Sequence, residues 1–97
     1  MDDRIRQVLN AKIDDVITKS DEIVDITRTL RKLIDDEEQT AFGIALGRVY
    51  NAFHYQTRRI LKRNATEEEF KEFVEILSKK TEKIKMALHE RLHDAKS

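Results

Sequence analysis

The absence of proline is the feature that most limits how this chain can fold. Among its 97 residues there are two glycines, Gly43 and Gly47, and no proline at all. Turns and strand ends normally depend on these two residue types, so a chain with so few of them is expected to form long helices. Because 97 residues is the length of one domain, residues 1–97 are predicted to form a single helical domain.

Apolar residues recur at helical spacing through the first third of the chain. At 100° per residue they fall within about 40° of one line, which predicts a helix over about residues 3–34. Ser20 and Thr27 lie on the same stripe, so its centre is partly polar, unlike that of a leucine zipper. The apolar residues on this line are Ile5, Leu9, Val16, Ile23, Leu30 and Ile34.

The acidic segment 35–38 is expected to separate the first helix from a second one. Asp35 and Asp36 each precede, by three residues, a side chain that can complete a helix cap. A second helix is therefore predicted over about residues 37–63, with an apolar line formed by Phe42, Leu46, Val49, Phe53 and Ile60. Acidic residues also favour helix, so the alternative is that the first two helices join into one rod that pairs only across a dimer.

A capping box marks the start of the third helix. Thr66 and Glu69 have the required spacing, and the glutamates at 67–69 suit the positive end of a helix dipole. The third helix is predicted over about residues 66–95, with a core line formed by Phe70, Phe73, Val74, Leu77, Ile84, Leu88 and Leu92. Helices joined by short connections lie antiparallel, so we predict an all-α, up-down-up three-helix bundle that associates as a dimer or higher helical assembly.

The second helix holds the residues expected at an oligomer contact. Gly43-x-x-x-Gly47 has the spacing that lets two helix backbones approach closely, and Tyr50 and His54 continue the same side of the helix. These glycines admit either a bulky side chain of the same chain or the second helix of another copy. The sequence favours the second alternative, a homo-oligomer, and among oligomers a dimer.

Charge is unevenly distributed, although the formal net charge is zero. Residues 41–64 carry five basic and no acidic side chains. A basic helix face that includes an aromatic residue can follow a phosphate backbone and stack one base. The alternative is that these cations pair with the acidic segments 35–38 and 67–69 of the same chain, and that the basic residues within 58–63 complement the negative end of the helix dipole. The residues of the candidate nucleic-acid face are Arg48, Tyr55, Arg58, Arg59 and Lys62.

The histidines near the end of the chain have the spacing of metal ligands. The segment His89-Glu90-Arg91-Leu92-His93 resembles the zincin metalloprotease motif over five residues, and this resemblance implies zinc held by His89 and His93. Zincins need a third ligand further along the chain, where only four residues follow His93. A metalloprotease is therefore not expected. His89 and His93 are retained as candidates for an adventitious or inter-chain metal contact on the solvent side of the helix.

Arg48 and His54 have a separation similar to the R-x(4–6)-H motif of HEPN-type ribonucleases, which are helical and act as dimers. Six residues along a helix leave two side chains about 120° apart, which does not suit a shared catalytic centre. The sequence therefore favours a non-enzymatic assembly or adaptor module that self-associates through its second helix. A nucleic-acid-binding protein is the alternative, and a HEPN-like ribonuclease is a further one.

No cofactor and no membrane partner are expected from the sequence. Cysteine is absent, which excludes disulfides and thiolate metal sites. No apolar run approaches the length of a signal-peptide core or a membrane span, so a cytoplasmic location is predicted.

Overall fold

The computed structural model describes residues 1–94, which contain α-helices and no strand, so the all-α prediction is confirmed. A 3₁₀ turn at Arg31–Leu33 lies between the second and third of the five α-helices in the described residues. None of the described helices is both long and apolar enough to cross a bilayer. The five α-helices are α1 (Asp3–Thr18), α2 (Ser20–Thr29), α3 (Glu37–Leu61), α4 (Glu67–Ser78) and α5 (Thr81–Asp94).

Two of the three long helices predicted from the sequence are each divided into two. The helix predicted over 3–34 is interrupted at Lys19, where φ is −102° and ψ is 32°, and it ends at Thr29. The helix predicted over 66–95 is interrupted at residues 79–80. The predicted end of that helix, at residue 95, lies outside the described residues.

Hydroxyl side chains near these interruptions bond to backbone carbonyl groups. Ser78 Oγ donates to the carbonyl oxygen of Glu75 at 2.8 Å, and Thr81 Oγ1 donates to that of Leu77 at 3.1 Å. In the last turn of α2, Thr29 Oγ1 donates to a carbonyl three residues earlier at 2.6 Å. Such bonds compete with the helical ladder and bend or end a helix, although the apolar pattern continues past them.

The first two predicted helices are separate, so the alternative of one continuous rod is wrong. Ile34 and Asp36 have extended backbone conformations between the 3₁₀ turn and α3. The Asp36 carboxylate caps α3 by accepting from the backbone N–H of Gln39 at 3.0 Å. At its other end α3 stops at Lys62, whose φ of 60° is left-handed while its N–H still bonds to the carbonyl of Arg58.

The capping box predicted at the start of α4 is present. Thr66 Oγ1 accepts from the backbone N–H of Glu69 at 3.2 Å, and the Glu69 carboxylate accepts from that of Thr66 at 2.9 Å. Arg63 donates two further bonds to this carboxylate, at 2.7 and 3.2 Å. Hydrogen bonds lower the pKa of Glu69 to about 2. The bond from the Arg63 guanidinium has the largest effect, and the bond from the backbone N–H of Thr66 has the second largest. The cap is therefore ionised at any ordinary pH.

The core lies where α3 packs against α1, α2 and α5. The pattern in the sequence predicts Phe42, Leu46 and Ile60 at this core, but these three side chains are only half-buried. The buried row follows i, i+4 spacing, which is inclined to the helix axis, and it packs against three helices, α1, α2 and α5. The buried residues of α3 are Ala41, Ala45, Val49, Phe53 and Thr57.

Candidate functional site

Gly43 and Gly47 lie in the middle of α3 on a side that the rest of the described chain leaves open. Both residues are exposed. A Cβ atom added to either glycine would have no side chain and no neighbouring helix within 4 Å. Within residues 1–94, therefore, no contact supports the alternative that the glycines admit a bulky side chain of the same chain.

The other residues predicted at the oligomer contact, Tyr50 and His54, belong to an aromatic cluster between α3 and α4. The Tyr50 ring stacks on Phe70, with centroids 6.1 Å apart, and on His54, at 5.9 Å. Phe73 meets Tyr50 edge-on and stacks on Phe53 at 4.7 Å. Tyr50 remains 42% exposed, so the cluster holds its ring in place and leaves part of it open to solvent.

The helix α4 adds exposed apolar side chains to this surface. The sequence pattern assigns these side chains to the core. Phe73 is the buried residue of α4, whereas Phe70 is only partly covered and Val74 is 59% exposed. Val74 lies one turn beyond Phe70 on the same side of α4, so the open apolar area extends from α3 onto α4. We define the glycine face as Gly43, Gly47, Tyr50, His54, Phe70 and Val74.

Two cations of the candidate nucleic-acid face bond to neutral groups. Arg58 donates to Asn64 Oδ1 at 2.8 Å, and Arg59 donates to Gln56 Oε1 at 3.1 Å. The predicted alternative, pairing with the acidic segments, is not found for these two arginines in the described part of the chain. Tyr55 is 61% exposed and lines a surface cleft with Arg58 and Arg59. Lys62 is also exposed, at the end of α3.

Arg48 differs from the other cations of this face because it is paired. Its guanidinium lies 3.1 Å from Glu22 Oε1 of α2, a residue that belongs to neither of the acidic segments, 35–38 and 67–69, named in the pairing alternative. Arg48 and His54 line different surface clefts, and His54 stacks on Tyr50. The two residues are not brought to a common point, so their geometry gives the HEPN-like ribonuclease hypothesis no support.

His89 and His93 lie on the exposed side of α5, as predicted, and both face Glu38 in the first turn of α3. His89 Nδ1 is hydrogen-bonded to Glu38 Oε1, and His93 Nε2 lies 3.1 Å from the same oxygen. The two imidazole centroids are 4.3 Å apart. One ligand atom from each of the three residues lies within 4.8 Å of the other two. The sequence indicates both histidines but not the carboxylate.

Glu38 was missed because its role depends on tertiary structure. It is 51 residues from His89, and nothing in the local pattern distinguishes it from the other acidic residues of segment 35–38. Hydrogen bonds with His89, and then with His93, hold the pKa of Glu38 below its ordinary value. An ionised carboxylate thus faces two imidazole nitrogens where the start of α3 meets the end of α5.

Comparison with protein-family models, with curated proteins and with solved structures finds no match to this chain. Three features of the chain itself are therefore the functional candidates: the glycine face, the cations of α3, and the cluster of Glu38 with His89 and His93.

Proposed function

We propose that this chain is a non-enzymatic helical assembly module and that two copies associate through α3. In this proposal the helices form three rods, α1–α2, α3 and α4–α5, in up-down-up order, and two such bundles meet at the glycine face. The observation that carries the proposal is the open glycine pair. Gly43 and Gly47 have no neighbour within 4 Å that would require glycine.

Mid-helix glycine normally has a packing reason. Alanine at either position would favour α3 by roughly 0.5–1 kcal/mol, because glycine loses more backbone freedom on folding. Two glycines at i, i+4 allow a second helix to approach the backbone closely. Since the described chain supplies no such helix, we infer that a partner supplies it. The exposed side chains of Tyr50 and Val74 would be removed from water in the same contact.

A second copy of this chain fits the glycine face in both symmetry and charge. In a two-fold dimer the same surface is used twice, so a helix that tolerates close approach meets an identical helix. In an antiparallel crossing centred on the glycines, the acidic segment 35–38 of one copy lies opposite residues 52–55 of the other, about one turn before Arg58 and Arg59. Residues 41–64 carry five basic and no acidic side chains, which makes this arrangement electrostatically favourable.

Replacing Gly47 by leucine is expected to weaken association without unfolding the chain. The leucine side chain would block the approach of a second helix, whereas within one copy it would extend into open space. We expect the dissociation constant to rise at least about tenfold, which corresponds to about 1.4 kcal/mol. Sedimentation equilibrium measures the association, and circular dichroism with urea unfolding checks the fold.

The matched control is Ala11→Leu, which places the same side chain at an exposed small residue of α1. This variant should associate as the wild type does. A wild-type chain that stays monomeric up to millimolar concentration would disprove the proposal. So would a Gly47→Leu variant that dimerises with unchanged affinity.

Nucleic-acid binding is a second candidate function, favoured by the open cations at the end of α3. Arg58 and Arg59 donate to neutral amides and lie beside the exposed ring of Tyr55. In this arrangement two guanidinium groups are available to phosphates and one aromatic ring is available to a base. Residues 1–97 are not basic overall, so this surface would have to act locally.

The double substitution Arg58→Ala with Arg59→Ala is expected to lower the affinity for single-stranded nucleic acid. It should also make that affinity less dependent on salt concentration. Loss of two phosphate contacts should reduce the slope of log affinity against log salt by about 1.4. Fluorescence anisotropy with a labelled single-stranded oligonucleotide, from low to physiological salt, measures this slope. The control is Lys79→Ala with Lys80→Ala, which removes the same charge between α4 and α5. Equal losses in the two double variants would indicate attraction to net charge alone and would contradict a defined face.

A further inference from the structure

We propose that Glu38, His89 and His93 bind a zinc ion that links the first turn of α3 to the last turns of α5. The site is formed within one chain and does not depend on self-association. It differs from the site that the five-residue zincin resemblance implies, because its third ligand comes from the N-terminal side of the histidines, across the helix interface.

The positions of the three ligand atoms support this site. Zinc in tetrahedral coordination, with bonds of about 2.0–2.1 Å, holds its ligand atoms roughly 3.3 Å apart. His93 Nε2 is 3.1 Å from Glu38 Oε1, and His89 Nδ1 contacts the same oxygen. All three ligand atoms lie within 4.8 Å of one another. Small side-chain rotations would therefore complete the geometry without movement of either helix.

The local structure keeps these ligands together in a way that does not require the metal. His89 and His93 are one turn apart on α5, so their rings leave the helix on the same side. Glu38 is fixed by the start of α3, where the Asp36 cap sets the first turn. The helices α3 and α5 pack against each other, which brings the two halves of the site within reach. The ligand set is thus preorganised by the fold.

The chemistry of the ligands favours zinc over the alkaline-earth ions. Two neutral imidazoles and one carboxylate suit Zn²⁺ and related transition metals, whereas Mg²⁺ and Ca²⁺ prefer oxygen ligands in larger number. The three side chains are between 51% and 61% exposed, so an ion can reach them from solvent. Three protein ligands leave a fourth position for water.

The first test is zinc binding to the full chain, with the metal alone as the probe. Isothermal titration is expected to saturate at one zinc per chain, with no change of molecular mass by light scattering. At a zinc concentration a hundred times the dissociation constant, the melting temperature should rise by about 10 °C. Cobalt substitution should give the visible absorption bands of a tetrahedral ion. Magnesium should give no saturable binding and no rise in melting temperature.

Variants then separate this three-ligand site from simpler metal contacts. Glu38→Gln and His93→Gln should each weaken zinc binding by about a hundredfold or more, since even indirect ligand partners contribute tenfold to a hundredfold. Glu37→Gln and Glu90→Gln are matched controls beside the ligands and should bind zinc as the wild type does. Because all of these side chains are at least partly exposed, circular dichroism without zinc should be unchanged.

Three outcomes would overturn the proposal. Unchanged affinity in Glu38→Gln would mean that the two histidines alone make a surface contact with the metal. One zinc per two chains, accompanied by a doubled mass, would mean that the metal joins different copies. No saturable binding by the wild type would remove the site altogether.

Discussion

Replacing Phe53 by alanine is expected to destabilise the folded chain by about 3–5 kcal/mol, a large part of the stability of a domain of this size. Phe53 is 1% exposed in α3. Its ring stacks on Phe73, with centroids 4.7 Å apart, and meets Phe70 edge-on at 5.7 Å. Truncation would leave a cavity between α3 and α4 and would remove both ring contacts.

The loss should affect α4 before the other helices. Phe73 is the buried residue of α4, and its stacking partner is Phe53. In hydrogen exchange, amides of α4 should therefore exchange faster in Phe53→Ala than amides of α1, relative to the wild type. Urea unfolding gives the total change in stability. A loss below about 1 kcal/mol, or equal acceleration in α1 and α4, would show that these rings do not attach α4 to the core.

Replacing Ala45 by leucine is expected to destabilise the fold by about 1–3 kcal/mol or more. Ala45 has no exposed surface, and it lies in the buried row of α3 between Ala41 and Val49. The three additional carbon atoms would force apart α3 and the helices packed on it. Leucine favours helix almost as strongly as alanine does, so the loss would come from packing and not from helix propensity.

The comparison with Gly47→Leu gives this prediction its control, because both substitutions place leucine in the same helix two residues apart. At a concentration where the wild type is monomeric, the urea midpoint should fall for Ala45→Leu and stay the same or rise for Gly47→Leu, since Gly47 borders open space. In sedimentation the larger effect should come from Gly47→Leu, which is expected to increase the population of monomer more than Ala45→Leu does. Equal destabilisation by both substitutions would contradict the arrangement of faces on α3.

The helix starts could be predicted from sequence because caps are local interactions. The side chains of Asp36 and Thr66 bond to backbone groups three residues away. The sequence predicts the cap at Thr66 and offers Asp35 and Asp36 as alternatives for the other cap. The interruptions at Lys19 and at residues 79–80 were not predicted, because apolar periodicity continues across them. The buried row of α3 depends on the angle at which neighbouring helices cross it, and a single helix does not encode that angle.

The residues of the candidate sites likewise include some that local spacing predicts and others that only tertiary packing brings together. His89 and His93 were identified because four residues along a helix bring side chains together whatever the tertiary fold. Glu38 joins them only through the packing of α3 on α5, which the sequence pattern does not specify. The glycine pair was recognised from its spacing. The exposed Val74 beside it was assigned to the core, because its apolar character does not show which side of α4 is covered.

Lys62 ends α3 in a left-handed conformation, with φ at 60°, that glycine would adopt with less strain. A lysine there brings a positive charge to the negative end of the helix dipole, which offsets part of the strain. In the middle of the same helix the opposite choice is made, since Gly43 and Gly47 occupy positions where alanine would be more stable. The sequence of α3 thus departs from local backbone preference in two ways: it has lysine where glycine is preferred, and glycine where alanine is preferred. Each departure lies on a surface proposed here to bind a partner, as expected where recognition and local stability make conflicting demands on a residue.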